Sequence, residues 1–105
     1  MALTRDFRET IHARAVKDPV FRVGLLKESI NEFLAGNLGT AKALLSDYIN
    51  AGITFEALAK KTKINDKSLH RMLSDKGNPT TSNFCAVLHA IQQIEGVIIV
   101  AKIRR

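Results

Sequence analysis

Apolar residues recur along this chain three and four apart, the period of a helix with one buried face. Residues 4–17 set Phe7, Ile11 and Ala15 at four-residue intervals, with Leu3 one turn earlier. Asp18-Pro19 breaks that stripe and starts another, since Asp caps a helix well and Pro suits its first position. The second helix is expected to run to about residue 35, with Val23, Leu26, Ile30, Phe33 and Leu34 on one side and Gly36 as its stop. A third, over residues 40–50, repeats Ala41, Leu44, Leu45, Tyr48 and Ile49 and ends at Ala51-Gly52. Two short helical patterns follow, 54–61 and 66–73, with four residues between them. After the turn cluster Gly77-Asn78-Pro79 a last helix, 81–95, carries Phe84, Val87, Leu88 and Ile91 inward, and Gly96 closes it.

The chain then changes character. Val97, Ile98, Ile99 and Val100 are β-branched without a break, which predicts one short strand. A lone strand needs a partner. Two readings stay open: an apolar segment folded back on the helices, or a strand paired with its copy in a second subunit. The expected fold is all-α, with an N-terminal helical hairpin (1–36) in the same compact unit as residues 37–105, and this C-terminal strand. The seam between the two parts is Gly36 to Gly39.

Composition refines this picture. The 105 residues are 46% hydrophobic but only 6% aromatic, with no Trp, so the core must be mostly aliphatic. The net charge of +6 is unevenly spread. Residues 54–82 hold six Lys/Arg against three Asp/Glu, whereas residues 1–36 hold six against five; Lys102, Arg104 and Arg105 form a basic tail. A basic excess is consistent with a nucleic-acid partner, although many basic proteins bind nothing anionic, and its concentration in the later part of the chain says more than its size. The single cysteine, Cys85, cannot form an internal disulfide and sits in an apolar stretch, so it is expected to be an inert buried thiol in a reducing compartment. The longest apolar run, 97–101, is far too short for a membrane span, and the first twenty residues lack a secretory core, so a cytoplasmic protein is expected. His12, His70 and His89 are too scattered for a metal site. With no phosphate-binding glycine loop, no paired carboxylates and no oriented nucleophile, neither enzymatic activity nor a cofactor or metal is expected.

Residues 54–73 carry the sharpest signal. Two helices that meet closely need a small residue near the centre of the first, here Ala59, beside the inward Leu58. The connecting turn must send an apolar residue into the core, which Ile64 does five positions later, and the second helix must turn Leu69, Met72 and Leu73 inward. Thr54 and Asn65 are then helix caps, while Asp66, Lys67, His70, Arg71 and Ser74 face outward. In a DNA-reading unit of this shape, Lys67, Ser68, His70 and Arg71 would meet base edges in the major groove, Lys67 and Arg71 suiting guanine. Thr54, Asn65, Lys76, Asn78, Thr80 and Thr81 would meet phosphates. The same pattern also suits two packing helices of a bundle, with Lys60, Lys61 and Lys63 a solvated face.

On Leu58-Ala59, Ile64, Leu69, the turn at residues 77–80 and the helix that follows, residues 55–91 resemble the lambda-repressor-type (Xre/Cro) helix-turn-helix family. Lys63 departs from it at the turn position that often holds Gly. More narrowly, nearly the whole chain resembles HigA-type addiction-module antidote proteins. The features are the N-terminal hairpin, residues 42–50 (KALLSDYIN), the Phe55-Glu56-Ala57-Leu58-Ala59 run, residues 67–72, Gly77-Asn78-Pro79 and the segment after Gly96. The resemblance implies an operator-binding repressor of its own operon, a homodimer on double-stranded DNA, that neutralises a RelE/ParE-type toxin. Two other readings remain: a stand-alone phage-type repressor, and a helical protein-interaction module without DNA function.

Overall fold

The structure, a computed structural model, describes residues 5–105 and contains six helices there. They are α1 (Arg5–Lys17), α2 (Pro19–Leu34), α3 (Leu38–Ala51), α4 (Phe55–Thr62), α5 (Asp66–Met72) and α6 (Thr81–Glu95). Leu3 and Thr4 lie outside the described residues. The α1–α2 corner is made by one residue: the Asp18 carboxylate accepts from the N–H groups of Val20 (3.1 Å) and Phe21 (3.2 Å), and Pro19 needs no N–H partner. α2 ends when Gly36 turns left-handed, at φ +84°. α3 begins two residues earlier than its apolar pattern suggests, because the Asn37 carbonyl accepts the Ala41 N–H at 2.9 Å and draws Gly39 into the first turn.

Packing follows the stripes. α2 and α3 form the most extensive helix pair, α1 lies across both, and α4 packs on α5 and α6. One cluster of buried side chains draws on all six helices, from Ala15 in α1 to Ile91 in α6, with Leu45, Tyr48, Ile49, Leu58 and Leu69 fully enclosed. Not every expected inward residue joins it: Leu34 is 78% exposed at the end of α2, and Phe7 is half-exposed. Cys85 is exposed too, correcting the expectation of a buried thiol. It lies one position beyond Phe84, about 100° around the helix from the stripe that Phe84, Val87 and Ile91 turn inward.

At one end of the bundle, Arg22, Tyr48 and Glu95 lock α2, α3 and α6 together. Arg22 donates to both Glu95 oxygens (Nε–Oε1 3.1 Å, Nη2–Oε2 3.2 Å) and, through Nη1, to the Ala15 carbonyl of α1. The Tyr48 hydroxyl donates to Glu95 Oε1 at 2.8 Å. The Arg22 stem crosses so close to Gly52 that any Cβ there would collide with the Arg22 Cδ.

The expected strand is not formed: among the described residues there is none, and residues 97–105 run without regular structure. β-branching favours an extended backbone, but a ladder needs a second strand, and six helices supply none. Instead the Ile99 N–H donates to the Gln92 side chain (2.9 Å), and Ile99 packs on the core. Ile98, Val100 and Ile103 stay 79% or more exposed. No helix among the described residues is long and apolar enough to cross a membrane.

Candidate nucleic-acid interface

α4 turns Phe55 and Leu58 into the core, and its last turn is tied by the Thr62 hydroxyl, which donates to the Leu58 carbonyl and accepts from the Ile64 N–H. Lys63 then adopts the left-handed conformation (φ +62°, ψ +19°) that ends α4, its N–H bonded to the Ala59 carbonyl at 2.8 Å. That single reversal lets Ile64 drop against the core and Asn65 cap α5, its Oδ1 accepting from the Lys67 N–H at 2.8 Å. Leu69, Met72 and the adjoining Leu73 are buried, so the opposite side of α5 must face solvent.

On that side Lys67 and Arg71, one turn apart, are exposed, and no side-chain hydrogen bond or ion pair engages either among the described residues. Ser68 is half-buried. His70 is exposed at its edge but held: its ring stacks on Phe55 (centroids 3.9 Å apart, planes at 24°) and its Nε2 lies 3.6 Å from Asp66 Oδ1. It seals the seam between α4 and α5, so Lys67 and Arg71 are the two freely projecting groups of the four residues expected to meet bases.

The six residues expected at phosphates divide in the same way. Thr54, Asn65 and Thr80 spend their side-chain oxygens capping α4, α5 and α6, accepting from the N–H groups of Ala57, Lys67 and Asn83. Thr54 does so with φ at +70°, a conformation that few non-glycine residues adopt. Lys76, Asn78 and Thr81 are exposed and lie in sequence between α5 and α6 or at the start of α6.

The segment between α5 and α6 is fastened by a residue outside the expected site. Lys42 of α3 is only 3% exposed, the one buried charged residue among those described. Its Nζ donates to three carbonyls: Ser74 at 2.8 Å, Asp75 at 3.2 Å and Gly77 at 2.7 Å. The segment is also pressed against the end of α5, where a Cβ on Gly77 would collide with the Arg71 carbonyl oxygen. A signal for Lys42 was present: it stands three and seven residues before Leu45 and Ile49, a charge in phase with the apolar face of α3.

The outcome is a helix pair whose exposed side carries Lys67 and Arg71, followed by a segment, held by Lys42, that carries the exposed Lys76 and Asn78. Among the described residues, no group of three or more His, Cys, Asp or Glu could hold a metal ion. No family model, curated protein or solved structure matches this chain.

Proposed function

We propose that this protein is a sequence-specific DNA-binding transcriptional repressor of helix-turn-helix type, acting as a homodimer, and that it is the antitoxin of a type II toxin–antitoxin module repressing its own operon. The observation that carries the DNA reading is the division of α5: Leu69 and Met72 are buried while Lys67 and Arg71 project without partners. A helix so divided can lie in a major groove, its basic groups at guanine edges and the flanking segment on phosphates. A dimer would set two such helices in successive grooves, one helical turn apart. The antitoxin part, with a RelE/ParE-type toxin as partner, rests on the resemblance of nearly the whole chain to HigA-type proteins.

The exposed Ile98, Val100 and Ile103 favour a second reading, a module whose business is protein contact alone. One titration separates the two. Fluorescence anisotropy against the duplex upstream of the protein's own gene and a scrambled duplex, at two salt concentrations, should show preference for the former and steep weakening with salt. Equal, weak binding to both would leave α4 and α5 as packing elements and favour the interaction module.

A further inference from the structure

We propose that Lys42 is a positioning residue of the duplex interface, holding the 74–78 backbone so that its amide N–H groups face outward as donors to a DNA phosphate. The inference rests on the DNA-binding reading above. An ammonium has three N–H donors and no acceptor, and all three are used here on carbonyls of a segment with no regular structure of its own. An apolar side chain of the same length would fill the space in α3 equally well; only a cation with several donors gathers three carbonyls at one point.

Gathering the carbonyls has a geometric consequence. The structure contains no cis peptide among the described residues, and in a planar trans peptide the C=O of one residue and the N–H of the next point in opposite directions. Drawing the carbonyls of Ser74, Asp75 and Gly77 inward to Lys42 therefore turns the N–H groups of Asp75, Lys76 and Asn78 away from the protein. None of those three N–H groups bonds within the described residues, whereas the Ser74 and Gly77 N–H groups, which are not so turned, bond to the Arg71 and Ser74 carbonyls. Successive outward amides form an anion-binding surface, and the Lys76 ammonium adds charge beside it. Buried as it is, Lys42 reaches no phosphate itself; it acts through the backbone that it orients.

The test is a double-mutant cycle read by anisotropy on the upstream and scrambled duplexes. Lys42→Met should weaken binding to both on the order of tenfold, leave their ratio unchanged, and lower the slope of log K against log salt by about 1, as Lys76→Ala should. Since both changes disable one contact, Lys42→Met/Lys76→Ala should bind little worse than either alone. Amide NMR should show the Asp75, Lys76 and Asn78 N–H signals shifting when duplex is added to the wild type and not to Lys42→Met. Should Lys42→Met fail to fold, Gly77→Ala displaces the same segment from the α5 side and should reproduce the loss. Unchanged binding by Lys42→Met, or a loss that adds fully to that of Lys76→Ala, would overturn the role of Lys42 and leave the DNA reading intact. A wild type that binds no duplex would overturn both.

Discussion

Arg71 and His70 are neighbours with opposite employment. Arg71 projects unpartnered, whereas His70 lies flat on Phe55 with Asp66 at its edge. If Arg71 reads a base, Arg71→Ala should cost on the order of 1–3 kcal/mol of binding and relax the preference for the upstream duplex. Comparing affinities for single-base variants of that duplex checks this, and a variant with affinity and preference intact would remove α5 from the reading. His70→Ala should instead lower thermal stability, by about 0.5–1.5 kcal/mol for the lost stack, with base preference unaltered. The sequence placed both residues on the outward side of α5; only the packing of α4 against α5 separated the free side chain from the occupied one.

At the scale of elements, the α4–α5 unit turns on one left-handed residue. Lys63 occupies φ +62° with an exposed side chain, a conformation that costs an L-residue roughly 1–2 kcal/mol and glycine almost nothing. Lys63→Gly should therefore raise the melting temperature, by about 4–8 °C per kcal/mol gained in a domain of this size. A lowered melting temperature would mean that the Lys63 side chain contributes more than its backbone costs. The helices themselves were legible because their signals are local. Asp18, Thr54, Asn65 and Thr80 cap at the expected helix starts, and the stripes of α3 and α6 turn inward as their period requires. Cys85 misled because an apolar neighbourhood in sequence says nothing about the side of the helix on which a residue falls.

Across the whole molecule, the two ends of α6 do different work. Its first residues adjoin the segment held by Lys42, while its last, Glu95, pairs with Arg22 and accepts from the Tyr48 hydroxyl, about 21 Å away at 1.5 Å per residue. Burial pushes the Glu95 carboxyl upward, but hydrogen bonds from Arg22 and Tyr48 and the Arg22 charge outweigh it, leaving it below its usual value. Burial and the bond to Glu95 raise the Tyr48 phenol far above its usual value, so it remains a donor. A carboxyl depressed on folding adds stability above its unfolded value, about 4.3, and that contribution is lost as pH falls through the folded value. Thermal melts should thus show stability declining below about pH 4. Glu95→Gln should remove that part of the decline and cost on the order of 3 kcal/mol at neutral pH, by leaving Arg22 without its counter-charge. A pH profile identical in wild type and variant would show that the pair does not couple folding to protonation.

The sequence by itself determined that these helices form and, to within about two residues, where they start and stop, the apolar stripes of α3 and α6, and where the basic residues concentrate. Caps, periodicity and charge act over one or two turns, so they can be read without knowing the fold. What only the tertiary structure decided depends on partners distant in the chain. Lys42 finds its carbonyls more than 30 residues away, and Arg22 meets a carboxylate 73 residues on. The segment after Gly96 shows the same division from the other side. Its β-branched residues favour an extended backbone, but whether extended chain becomes strand depends on a neighbouring strand with open hydrogen-bonding groups; among the described residues the segment is met instead by Gln92, whose carbonyl accepts from the Val97 N–H and whose side chain accepts from the Ile99 N–H.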